Sequence, residues 1–156
     1  MKLKPTLWVL PASLFVAMVF ALWPLPSLLA VWRPDWVALV LLYWALASGR
    51  GMGPLLPFVM GVLVDVQTTS RLGLHALGFC LIIALAELMS RRLKIFSLWQ
   101  TGMAVAVLLL ILRLVLVGGG RLLGGPAPGL STFLPVLSAA LVWPLLVALL
   151  RRSRGY

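Results

Sequence analysis

The sequence predicts an all-α membrane protein with six transmembrane helices in one bundle, and three observations predict it. Hydrophobic residues make up 63% of the 156 positions and charged residues only 10%, whereas about a quarter of an ordinary soluble domain is charged. A soluble chain of this length has too much surface to hide so many apolar side chains. The apolar residues also fall in long runs, divided by short basic or Pro/Gly-rich breaks. Finally, thirteen Lys and Arg stand against three Asp and Glu, and nearly all the bases lie between the runs. Bases in that position set membrane topology and meet anionic headgroups. They are not interleaved with aromatics that would stack on bases, so nucleic acid is not the expected partner. The length suits one integral membrane domain covering residues 1–156.

A membrane helix needs about 20 apolar residues, within a range of about 17–25. The first span is residues 6–23, preceded by Lys2 and Lys4 and ended by Trp23-Pro24-Leu25-Pro26, because proline cannot continue the backbone ladder. A secretory signal also opens with bases and an apolar run, but no small-x-small cleavage site follows, so the segment is read as retained. The second span, residues 36–48, is short: its thirteen positions cover about 20 Å of helix. Asp35 is placed to cap its start. It is tilted, re-entrant, or extended by the upstream segment 27–32. The turn Gly49-Arg50-Gly51-Met52-Gly53 leads to the third span, residues 54–67, where Pro54 suits the helix start and Pro57 is a candidate bend. After a polar break comes the fourth span, residues 72–90, and then the basic loop Arg91-Arg92-Leu93-Lys94. The fifth span is residues 98–117. Residues 118–129 are rich in glycine and proline and read as a flexible loop. The sixth span, residues 132–150, ends in the tail Arg151-Arg152-Ser153-Arg154.

Charge chooses the direction of threading. With six spans and a cytoplasmic start, the inside segments hold Lys2, Lys4, Arg50, Arg91, Arg92, Lys94, Arg151, Arg152 and Arg154. The outside segments hold Arg33, Arg71 and Arg121. Nine against three satisfies the positive-inside rule with both termini cytoplasmic. Trp8, Trp23, Trp32, Trp36 and Trp99 fall near span ends, where aromatic anchors belong.

Asp65, His75, Glu87 and Arg113 interrupt the apolar spans, where a mid-helix charge costs about 2.5–3.5 kcal/mol on insertion scales. Glu87 precedes Arg91 by one helical turn, the spacing of a helix ion pair. Asp65, His75 and Arg113 fall at a similar depth near the outer face and form a candidate intramembrane polar cluster. Two readings stand there. A buried Asp65–Arg113 pair, joined by His75, offsets the desolvation of each member. Alternatively, Arg113 snorkels to the interface and Asp65 faces loop water. One histidine and one or two acids are too few for a metal site, and no serine–histidine–acid set shares a depth. Cys80 is the single cysteine and reads as a small buried side chain. Small residues recur at Gly53, Pro57, Gly61 and Asp65, and again at Ala76, Cys80 and Ala84, so one face of the third span and one of the fourth suit close helix packing.

An ordered set of motifs runs along the chain: Trp23-Pro24-Leu25-Pro26, Arg33-Pro34-Asp35-Trp36, Leu42-Tyr43-Trp44 and Gly61-Val62-Leu63-Val64-Asp65. It continues through Leu72-Gly73-Leu74-His75-Ala76-Leu77, Phe96-Ser97-Leu98-Trp99-Gln100 and Ser138-Ala139-Ala140-Leu141-Val142-Trp143-Pro144. In this set the chain resembles the rod shape-determining MreD family over nearly its whole length. No single motif is distinctive, because apolar helices look alike; the ordered set is. The resemblance implies a non-catalytic subunit of the bacterial inner membrane, without cofactors. Its implied partners are MreC, the MreB filament, and RodA with its penicillin-binding transpeptidase. It also implies a fold similar to the substrate-binding subunits of energy-coupling-factor transporters. Arg33, Pro34, Asp35, Gly61, Asp65, Gly73 and His75 match recurrent family positions and carry over as structural or partner-contact residues.

A scaffold or coupling subunit therefore leads. It expects short loops, packable helix faces, and basic segments that touch lipid or a cytoplasmic partner through Arg91, Arg92, Lys94, Arg151, Arg152 and Arg154. The alternative is a small-solute binding or transport subunit, motivated by the fold similarity and the outer polar residues, although no inverted repeat is visible.

Overall fold

The computed structural model describes residues 4–48, 51–68, 72–93, 97–125 and 127–153. Among these residues all regular structure is helical. The elements are α1 (Lys4–Leu22), the single turn α2 (Ser27–Ala30), α3 (Trp36–Ser48), α4 (Leu55–Gln67), α5 (Leu74–Leu93), α6 (Leu98–Leu122), a 3₁₀ turn (Leu130–Phe133) and α7 (Leu134–Ser153). Two of the described helices are long and apolar enough to cross a membrane, Leu98–Leu122 and Leu130–Arg152, and four shorter apolar helices accompany them.

The short second span has the expected bounds and an unexpected position. Every residue from Val37 to Ala45 is buried. A helix that is apolar all round belongs in a core or in lipid; this one is the core, with α1, α5, α6 and α7 packed around it. Its thirteen residues reach only about 20 Å. Surrounded by protein, it has no need to match the full hydrocarbon thickness. The upstream segment forms the separate turn α2 and does not lengthen α3, because residues 33–35 break the ladder.

The outer helices are built inside out. On α7, Ala139, Trp143, Leu146, Val147 and Leu150 face inward. Leu137, Leu141, Leu145 and Leu149, one turn apart, are exposed. On α6, Met103, Val107, Leu110 and Leu114 are exposed in the same way. Apolar surface this continuous marks contact with membrane or partner rather than water.

The successive helices α4, α5 and α6 run antiparallel and approach through small residues. A Cβ built on Gly61 would stand 2.3 Å from the Ala76 Cα, so α4 and α5 meet backbone to backbone at that point, as small membrane-helix faces permit. The Cys80 Sγ lies 3.5 Å from the Pro54 carbonyl on the same interface. Of the small faces expected from sequence, Pro57, Gly61, Asp65 and Ala76 are buried, Cys80 is half-buried rather than buried as expected, and Gly53 and Ala84 at their ends are exposed. Pro57 falls in the first turn of α4, where its missing N–H has no intrahelical acceptor to lose.

The expected flexible loop after residue 117 is partly helix. α6 continues through Gly118, Gly119 and Gly120 to Leu122. Gly119 lies so close to Leu74 of α5 that a Cβ there would stand 2.5 Å from the Leu74 Cδ2. Helix packing thus outweighs the poor helix propensity of glycine. The helix then stops at Gly124, with φ at 81°. The Gly124 N–H donates to the Arg121 carbonyl at 2.9 Å and the Gly125 N–H to the Gly120 carbonyl at 2.8 Å, the paired bonds of a glycine-terminated helix.

Candidate functional site

Asp65, His75 and Arg113 gather at the end of the bundle where α1, α4 and α6 finish and α3 and α5 begin. They form two separate knots, and neither is a metal site: among the described residues no group of three or more His, Cys, Asp or Glu is placed to hold a metal ion.

The first knot closes the α4–α5 hairpin. Asp65 sits in the last turns of α4, fully buried. Its carboxylate accepts from the Gly73 N–H at 2.7 Å and the His75 N–H at 3.2 Å. It also lies 2.7 Å from His75 Nδ1, so the imidazole proton belongs on Nδ1 for that bond to form. Gly73 is the residue before α5, with φ at 99°, a backbone conformation that glycine adopts without a Cβ clash. Asp65 therefore caps the N-terminus of α5 from the neighbouring helix, where orphan N–H groups and the helix dipole favour a carboxylate. The His75 ring in turn packs edge-on to Phe79, with ring centroids 5.9 Å apart.

The second knot fastens the start of α3. Arg113, from α6, holds Asp35 with N–O distances of 2.8 Å to both carboxylate oxygens. This corrects the sequence expectation for Arg113: it belongs to Asp35, not to the Asp65–His75 pair. An expected depth along the spans does not set the direction each side chain takes around the bundle, which depends on helix rotation. Asp35 was expected as a cap for α3; its backbone carbonyl does accept from the Leu39 N–H at 2.9 Å, while its side chain reaches Arg113. Arg33 points the other way. Its Nη2 donates to the carbonyls of Phe20 at 3.0 Å and Trp23 at 2.6 Å, the last acceptors of α1, left open by Pro24. Trp36 completes the knot against Phe20, with ring centroids 5.6 Å apart. The Arg33-Pro34-Asp35-Trp36 motif thus ties α3 to α1 on one side and to α6 on the other.

At the opposite end, Glu87 has a partner that sequence reasoning missed. Its carboxylate accepts from the backbone N–H of Met52, in the α3–α4 connection, and its oxygens face Gly51. Glu87 thereby pins the turn that leads from α3 to α4. The side chains of Arg91 and Arg92, and all of Lys94 and Arg154, lie outside the described residues. Arg151 and Arg152 are exposed in the last turn of α7. The start of α6 carries a reciprocal cap, with Ser97 Oγ accepting from the Gln100 N–H and Gln100 Oε1 from the Ser97 N–H.

The family model for the rod shape-determining protein MreD matches residues 4–153. The chain belongs to the MreD family. A curated relative, the rod shape-determining protein MreD of Haemophilus influenzae, is 32% identical over 151 residues, covering 94% of this chain and 91% of the relative. No solved structure gives a significant match. The MreD family is one of shape-determining proteins, and its membership here agrees with the apolar, outward-facing helices of a membrane protein. Against that background both knots act as fasteners: each charged group closes a connection or caps a helix end.

Proposed function

We propose that this chain is a non-catalytic, multi-pass subunit of the bacterial inner membrane that maintains rod cell shape within the elongation machinery. The observation that carries the reading is the match to the shape-determining family along residues 4–153. Six helices cross, with both termini cytoplasmic, in a bundle similar to the substrate-binding subunits of energy-coupling-factor transporters. Support comes from the charge asymmetry of the loops and from Trp8, Trp23 and Trp99, all exposed near helix ends. In this reading the rigid bundle presents an apolar perimeter to membrane partners. MreC is the direct one; MreB and RodA with its penicillin-binding transpeptidase are coupled through the same assembly.

Depletion tests the role. Cells losing this protein are expected to round up, and re-expression restores rods; rods that persist after complete depletion, with no second copy of the gene, end the proposal. Reporter fusions after residues 28, 50, 70, 94, 125 and 156 test the threading, with alternating sides expected. Copurification with MreC in mild detergent tests the partner.

A further inference from the structure

We propose that the groove between α1 and α7 is a binding site for one anionic phospholipid, with one of its two acyl chains lying along the groove and its phosphate held by Arg151 and Arg152. The inference rests on the membrane reading above. α1 and α7 flank a cavity of about 620 Å³ floored by α3. Its walls are apolar, among them Trp8, Val16, Phe20, Val40, Leu145 and Leu149. Ser13, the hydroxyl in the lining, is already occupied: its Oγ donates to the Leu10 carbonyl at 2.8 Å and accepts from Trp44 Nε1 at 3.0 Å.

Size and charge choose the occupant. The lining runs along α1 from Trp8 to Phe20, about 18 Å of helix, close to the roughly 15 Å that one leaflet contributes to the hydrocarbon core. At about 30 Å³ per water-sized group, the groove takes roughly twenty such groups, the bulk of one long acyl chain. A helix about 10 Å across would seat only about 8 Å of its length in the same volume, little more than one turn. The α7 wall ends at Leu149 and Leu150, and the next two residues, Arg151 and Arg152, are exposed guanidinium side chains. Guanidinium groups bind phosphate oxygens through paired N–H donors. A greasy channel one leaflet long, opening beside two such groups, has the shape and charge of a phospholipid bearing a net negative headgroup.

Native mass spectrometry of the full-length protein in mild detergent, titrated with phosphatidylglycerol or with phosphatidylcholine of the same chain length, tests this. One phosphatidylglycerol per chain is expected to stay bound. The R151Q/R152Q variant, altered only at exposed positions, should bind it roughly thirtyfold more weakly, from about fivefold per arginine. Phosphatidylcholine binding should not change. The V16W/L145W variant, which fills the groove from its open side, should lose the tight phosphatidylglycerol while circular dichroism shows the helices intact. Equal retention of both lipids by the unaltered protein would overturn the site while leaving the membrane reading standing; failure to enter lipid at all would overturn both. Wild-type phosphatidylglycerol affinity in either variant would also overturn the site. So would a photo-crosslink from position 16 to a second polypeptide in a preparation free of phospholipid.

Discussion

The two polar knots do the same job in different surroundings. Asp65 is fully buried, and its partners Gly73 and His75 lie within ten residues along the chain. Asp35 and Arg113 are 78 residues apart, and their side chains are 28% and 18% exposed. The first knot is local, dry and includes two backbone N–H groups. The second is long-range, half-wet and made between two charged side chains. A buried carboxylate depends on every donor it has, because nothing replaces a lost one. A half-exposed pair exchanges part of its attraction for water on either side of the equilibrium and contributes less. The hairpin knot should therefore dominate stability, and the inter-helix knot should matter more for the angle at which α3 enters the bundle.

Substituting Asp65 tests the dry side. Asp65→Ala removes the cap from α5 and leaves His75 and the Gly73 N–H without their acceptor. It should cost about 3–5 kcal/mol in unfolding titrations in mixed micelles. Next comes Gly61→Val, which drives a Cβ into the Ala76 backbone of the same hairpin and should cost about 1–3 kcal/mol. A neutral outcome at either position would mean that α4 and α5 are not held as described. On the wetter side, Asp35→Asn or Arg113→Gln should cost about 1–2 kcal/mol. The charge-swapped pair D35R/R113D should regain part of that loss in a double-mutant cycle, and 1 M salt should shrink it. A coupling as large as the Asp65 effect would erase the distinction between the knots. The smallest effect belongs to Arg33→Gln, which removes a cationic cap from the end of α1 and should cost about 0.3–1 kcal/mol.

Sequence reasoning reached further with helices than with partners. The second span was placed at residues 36–48 and the helix is Trp36–Ser48; the third was placed at 54–67 and is Leu55–Gln67. Prolines, glycines and basic breaks punctuate an apolar chain strongly enough to set such limits. The run Gly118–Gly120 misled, because the packing of Gly119 on Leu74 has no local signature. Asp65, His75 and Arg113 were singled out as polar residues expected at one depth; Asp65 meets His75, and Arg113 meets Asp35 instead. Their pairing did not follow from that depth. Depth is a coordinate along a helix, whereas pairing depends on rotation about its axis. Glu87 shows what local spacing leaves out: its carboxylate accepts from the Met52 N–H, 35 residues back, while the side chain of Arg91, the partner that helical spacing suggests, lies outside the described residues.

By itself the sequence determined the helical class, most of the helix limits and the preference for lipid, because hydropathy and chain-breaking residues act locally and need no partner. Tertiary structure alone decided that the shortest helix would stand in the centre, that Arg113 would take Asp35, and that α1 and α7 would leave a groove between them. Those outcomes depend on how rigid cylinders rotate and cross when small residues let some backbones touch and bulky ones hold others apart, and no stretch of chain carries that information alone.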